Sequence, residues 1–272
     1  MVARHDQTTD PQLLEGLLQA RRGTAFFARK LNELSDADLD GDSLLPGWTR
    51  RHVTAHIGYN ARAIARLIEW AATGVETPMY ASTSVRDQEI NFGATLPPIA
   101  LRHLFDHSAV HLNVEWRDLP AEAWHHKVKT AQGRIVPAEE TVWMRTREVW
   151  VHAVDLGNGA TFNDIPAPVL ARLLADITAA WHTRGTDTGL LIRVTDQPDG
   201  MVFGDTDAET PTVVYGPLAA ITQWATGRGT HGVTATSTAA TTTTATGATA
   251  ADAAPPASDA DLPEVPAAPK WI

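Results

Sequence analysis

The stretch Glu140–Gly157, ETVWMRTREVWVHAVDLG, decides how this chain is read. Val142, Trp143, Met144, Val149, Trp150, Val151, Ala153, Val154 and Leu156 leave it apolar around most of a helical circumference. That pattern predicts a helix over about residues 139–156, buried on nearly all sides and stopped by Gly157. The polar residues of its second half are not scattered: at about 100° per residue, Arg145, Glu148, His152 and Asp155 share one stripe about 80° wide. Burying a carboxylate and an imidazole in such a helix costs several kcal/mol unless something pairs with them. One reading is a structural network in which Arg145 pairs with Glu148. The other is a metal site, because Glu-x-x-x-His sets two metal-binding groups on one face and a facing helix can supply a third.

The nearest source of a third ligand is a helix predicted over about Thr49–Ala72. Its buried face runs through Val53, Ile57, Ile64, Leu67 and Ile68; His56 sits at the margin, Asn60 inside it, and His52 further round toward solvent. A histidine in that position is more often a hydrogen-bonded core residue than a ligand, and only the Glu148/His152 stripe changes the balance. Two imidazoles and a carboxylate suit zinc or a similar borderline divalent ion, and three protein ligands leave a position open, as catalytic sites do. Asp155 and Asn60 are candidates to hydrogen-bond the ligands from behind. A second set, His103, His107 and His111, is spaced like a metal comb. It lies off the face of Leu101, Leu104, Phe105, Leu112 and Trp116, with only His111 at the edge, and reads as a solvated stripe.

The remaining segments complete a bundle. A helix from Asp10, an N-cap followed by Pro11, runs to about Leu34, and another follows Pro97 and Pro98 to near Leu119. Residues 73–96 form a long connection with a short helix near Val85–Ile90, and an irregular stretch contains Gln132-Gly133-Arg134. Four long amphipathic helices make residues 1–164 a four-helix bundle. The pattern then changes to a helix (Pro166–His182), the strands GLLIRVTD and PTVVYG, and a helix PLAAITQWATG. Residues 165–233 therefore read as a small α+β domain. Residues 234–263 are almost all Thr, Ala, Gly, Ser, Pro and Asp, too poor in apolar surface to offset ordering entropy, and are expected to be disordered. The terminal VPAAPKWI is apolar again and is expected to dock back through Trp271. The fold class is mainly α with a small α+β domain and a Thr/Ala-rich tail.

Composition narrows the function. With 272 residues and a net charge of −10, the chain lacks the basic surface that nucleic acid or an anionic membrane requires. No secretory h-region and no apolar run of about 18–20 residues is present, so a cytoplasmic protein is expected. There is no cysteine, which removes disulfides, thiolate metal ligands and a cysteine nucleophile. Any thiol chemistry would need a small-molecule thiol.

At these residues the chain resembles the mycothiol-dependent maleylpyruvate isomerases, within the DinB-like group of metal-binding bundles. The stretches that carry the resemblance are SLLPGWTRRHVTAHIGYN, ETPMY, KTAQGRIVPAEETVWMRTREVWVHAVDLG, ATGRGTHGV and PAAPKWI, which together span nearly everything outside the low-complexity tail. The resemblance implies a metal-binding four-helix domain joined to a smaller domain, with the active pocket in the cleft between them. It implies His56, Glu148 and His152 as ligands of a divalent metal, with Arg86 and Arg228 as the two pocket arginines. The implied reaction converts maleylpyruvate, a cis-alkene conjugated to a carbonyl, into trans fumarylpyruvate. Reversible addition of the mycothiol thiolate makes the double bond single, rotation follows, and elimination restores the alkene and the thiol. The substrate is a dicarboxylate that the two arginines would hold. Three alternatives stay open: a mycothiol-dependent S-transferase on the same scaffold, a non-catalytic metal or thiol sensor, and a metal-dependent hydrolase.

Overall fold

The computed structural model describes residues 5–197, 200–237 and 264–271. The chain divides into two compact units, Met1–Thr161 and Phe162–Ile272. The first is built on α1 (Pro11–Asn32), α2 (Arg50–Thr73), α3 (Thr83–Ala94), α4 (Pro98–Asp118) and α5 (Glu140–Asp155). Asp10 caps α1 as expected, its Oδ1 accepting from the Gln12 and Leu13 amides at 2.8 and 3.0 Å. Helix α2 ends at Gly74 and α5 stops before Gly157, with φ of 75° and 65°, a left-handed conformation that side chains with a Cβ disfavour.

Helix α2 is the hub: it packs on α4, α3 and α5, while α1 packs along α5. The α1–α5 approach is close enough that a Cβ on Gly23 would fall 2.6 Å from Val149 Cγ2. Phe26 stacks on Trp150 with ring centroids 5.1 Å apart, and Phe27 meets Phe105 at the same separation. Ile57, Ile64, Leu67, Leu101, Leu112 and Val149 fill the interior and are almost fully buried.

Two features of this unit depart from expectation. The stretch around Gln132-Gly133-Arg134 is not irregular but the turn of a short antiparallel hairpin, β1 (Lys127–Lys129) and β2 (Ile135–Pro137). Strands of three residues are too short for alternation to show in sequence. The helix in the long connection covers twelve residues rather than about six; Ser82 caps it, and Gly93 lets it lie against Ala55 and Tyr59 of α2.

The second unit contains α6 (Ala167–Arg184), β3 (Leu190–Val194), β4 (Val202–Gly204), β5 (Thr212–Gly216), α7 (Leu218–Ala225) and β6 (Thr234–Ser237). Its sheet has the order β4-β3-β5-β6, with β3 and β5 parallel and the outer pairs antiparallel. Trp181 of α6 and Trp224 of α7 meet edge to face at 5.8 Å in its core. Residues 234–237, placed in the disordered tail by composition, are instead strand β6. Threonines and small residues suffice there because the β5 ladder supplies the hydrogen bonds and Val233 and Ala235 are buried. The rest of the expected disorder, residues 238–263, lies outside the described residues.

The terminal segment does return to this unit, but main-chain carbonyls make its hydrogen bonds. Trp224 Nε1 donates to Pro266 O at 2.7 Å and Trp181 Nε1 to Lys270 O at 3.2 Å, while Arg184 donates to the carbonyls of Lys270 and Trp271. No described helix is long and apolar enough to cross a membrane.

Candidate functional site

Helices α2 and α5 bring His56, Glu148 and His152 together. Their potential ligand atoms all lie within 4.8 Å of one another. Glu148 Oε2 stands 2.9 Å from His56 Nε2 and 3.3 Å from His152 Nε2. The two imidazoles meet edge to face with centroids 4.8 Å apart, and the Trp48 ring, from the segment before α2, packs against His56 with centroids 5.6 Å apart.

The remaining polar residues of the stripe separate into two roles. Asp155 Oδ2 accepts from His152 Nδ1 at 2.7 Å, which fixes that ring and directs its Nε2 at Glu148. Arg145 does not pair with Glu148. Its Nη1 instead crosses to α2, donating to Ile57 O and Asn60 Oδ1, both at 2.8 Å. The guanidinium is 1% exposed, its Nη2 finds no hydrogen-bond partner among the described residues, and burial brings its pKa down to about 10. Asn60 thus belongs to Arg145 rather than to a ligand.

Electrostatics divide the three groups. Burial pushes the Glu148 carboxyl up, but hydrogen bonds from His152 and His56 together outweigh it and hold the carboxyl well below the usual range. Burial lowers His56, with the Arg86 charge acting in the same direction. Burial also acts to lower His152, yet Asp155 and Glu148 on its two nitrogens raise it overall. The protein alone therefore holds an ionised acid between one neutral imidazole and one that favours its proton.

This donor set fits a divalent ion. Ligands about 2.0–2.1 Å from a tetrahedral centre lie about 3.3 Å from one another, close to the 2.9 and 3.3 Å found around Glu148. His152 already has the carboxylate partner on its far nitrogen that metal-bound histidines usually have.

The other histidines behave as expected from their faces. His103, His107 and His111 are exposed, with His111 paired to Glu115 at 3.2 Å. His52 folds back onto the start of its own helix, its Nδ1 accepting from the Thr49 amide at 3.2 Å in a capping box.

The first unit matches the family model described as the mycothiol maleylpyruvate isomerase N-terminal domain over residues 20–157, and residues 164–255 match the model of the corresponding C-terminal domain. The chain belongs to the mycothiol-dependent maleylpyruvate isomerase family. It is similar to a crystal structure of the mycothiol-dependent maleylpyruvate isomerase at 44% identity and a TM-score of 0.81, covering 95% of this chain and 97% of that one. A histidine-to-alanine mutant of that isomerase matches with the same TM-score and coverage at 43% identity. Nothing among curated proteins matches. The family is one of enzymes, and the mainly helical fold with its smaller α/β part is the isomerase fold.

Of the two arginines that the resemblance singles out, Arg86 lies in the first unit on α3, half-buried and 2.9 Å from Asp87. Its charge reaches His56. Arg228 lies in the second unit, after α7, where its Nη1 donates to Thr226 O at 2.9 Å and its own carbonyl accepts from the Gln223 side-chain Nε2.

One residue that sequence reasoning missed is Arg50. Its Nε donates to Leu156 O at 2.7 Å and its Nη2 to Gly157 O at 3.3 Å, so the first residue of α2 caps the C-terminus of α5. The signal was weak: a basic residue beside an N-cap says nothing about which distant helix end it meets.

Proposed function

We propose that this chain isomerises maleylpyruvate to fumarylpyruvate with mycothiol as the nucleophile, at a divalent ion held by His56, Glu148 and His152. The observation that carries the reading is the convergence of those three side chains, with one carboxylate oxygen facing both imidazoles. Two imidazoles and a carboxylate favour zinc. Such an ion, once bound, supplies a positive charge that keeps a thiol deprotonated near neutral pH.

The chain's own residues do the rest. Glu148 enters ionised, so no proton must leave it. Asp155 fixes the tautomer and orientation of His152. His56 is buried and has the Trp48 ring beside it, which keeps water from that side of the group and strengthens the interactions made there. Arg86 is assigned one substrate carboxylate on the resemblance, and a guanidinium holds such a group with two parallel hydrogen bonds. Arg228 is assigned a second carboxylate on the resemblance and on its place between two glycines. The chain has no cysteine, in keeping with a nucleophile brought by the cosubstrate.

The test is a maleylpyruvate assay on purified metal-loaded protein, with and without mycothiol. Trans product that forms only with mycothiol, with the thiol fully recovered, is expected. Net consumption of thiol would make the chain a transferase, and turnover without thiol would point to a hydrolase; either overturns the reading.

A further inference from the structure

The loop between α2 and α3, Glu76-Thr77-Pro78-Met79-Tyr80, is held more firmly than a connection needs to be. Met79 is 4% exposed and inserts into the bundle core. Arg66 Nη1 donates to Met79 O at 2.6 Å, and Thr77 Oγ1 donates to Arg66 O at 2.6 Å, so the segment is tied twice to one residue of α2. Pro78 restricts the backbone between them. Tyr80 follows directly, its ring packed against the same core. Its hydroxyl has no hydrogen-bond partner among the described residues.

Tyr80 lines a cavity of about 610 Å³ with Ser82, Arg86, Lys129, Thr130 and Gln132, enclosed by this loop, the start of α3 and the hairpin turn. Arg86 and Glu148 both act electrically on the Tyr80 hydroxyl. Burial first, and the charge of Glu148 among others, push the Tyr80 hydroxyl up to about 12. Arg86 in turn acts on His56. Tyr80 therefore shares one cavity wall with Arg86, the arginine assigned above to a substrate carboxylate.

We propose that Tyr80 is a catalytic residue, its hydroxyl donating a hydrogen bond to the ketone oxygen of the substrate as negative charge develops there. This rests on the isomerase reading. When sulfur bonds to the alkene carbon, the π pair shifts through the conjugated system onto that oxygen; when sulfur leaves, the pair returns. A neutral donor matches this demand, because it gains strength only as the charge appears and needs to transfer no proton. A phenol that stays protonated throughout the working pH range, on a fixed loop and partly out of water, is preorganised for it. The cations Arg86 and Lys129 in the same wall suit the permanent carboxylate charge instead.

The experiment compares wild type with Tyr80→Phe, which removes one oxygen atom and keeps the ring. Metal content, thermal midpoint, kcat, KM and inhibition by adipate, a dicarboxylate without a ketone, are measured on both. The expected result is a fall in kcat of about 100-fold, as for loss of one donor to a developing oxyanion, with adipate inhibition and metal content unchanged. A fall smaller than tenfold, or weaker adipate binding with kcat preserved, overturns the assignment. If Phe at this position lowers the metal content or the thermal midpoint, Tyr80 is a structural residue and the proposal fails in that way too. Absence of mycothiol-dependent turnover in the wild type would instead sink the isomerase reading itself.

Discussion

Arg145 and Ile57 are joined across the bundle by a 2.8 Å hydrogen bond from guanidinium to main-chain carbonyl. The acceptor is one residue after His56 and the donor three residues before Glu148. At the other end of the helix pair, Arg50 of α2 holds the carbonyls of Leu156 and Gly157 just past the end of α5. The two arginines bracket the histidine–glutamate contact, so the helix separation that sets the 2.9 Å distance between His56 and Glu148 is fixed from both sides.

Arg145→Met tests this bracket. It strands the Ile57 carbonyl and Asn60 in the interior, and hydrogen bonds to a buried charged group contribute about 1.5–3 kcal/mol each. A loss of about 3 kcal/mol in urea unfolding of the metal-free protein is expected, together with weaker metal binding in calorimetry. Unchanged stability and affinity would show that the bundle sets the spacing without it.

Asp155→Asn isolates the orientation of His152. The neutral amide cannot favour the same ring tautomer as strongly, and loss of such a partner typically costs 10–100-fold in metal affinity. The expected outcome is a loss in that range by competition with a chromophoric chelator. An affinity equal to wild type would mean that packing alone orients the ring.

Metal binding should depend on pH through His152. Its folded pKa is raised above the ordinary value near 6.5 by Asp155 and Glu148 acting against burial, so below that raised value a proton occupies the ligand and must be displaced. Affinity is therefore expected to rise with pH, by about tenfold per unit for one competing proton, and to level off above the folded pKa. Glu148, depressed, and His56, lowered, are already in their binding forms and add little to the slope near neutrality. Calorimetry at several pH values in buffers of different ionisation enthalpy measures the released proton. A flat profile between pH 5.5 and 8 would contradict this, on a scale set by the ordinary histidine value.

Arg228→Ala should reduce turnover while leaving metal content intact, read by steady-state kinetics beside elemental analysis. Unchanged rates at all substrate concentrations would return this arginine to an ordinary turn.

The sequence was most legible where burial and polarity conflict. An acid and an imidazole in the oily helix α5 had to be explained, and the wheel placed Glu148, His152 and Asp155 on the face where they stand. The same stripe left the partner of Arg145 open, because spacing along one helix cannot show that a long side chain prefers a carbonyl and an amide on its neighbour. Arg50 was invisible for a similar reason: capping a distant helix end is a tertiary relationship. Composition misjudged residues 234–237, since a Thr/Ala segment that cannot order itself can still be ordered by a waiting strand edge. Tyr80 stood in a quoted motif, but its value comes from the anchoring of Met79, which only the packed structure reveals.

The most direct test of the central claim is metal stoichiometry by elemental analysis on wild type, His56→Ala, Glu148→Gln and His152→Ala, each assayed for fumarylpyruvate formation with mycothiol. About one divalent ion per chain in the wild type, lost together with turnover in every variant, is the predicted result. Any one variant that keeps both its full metal complement and wild-type turnover would contradict the three-residue site.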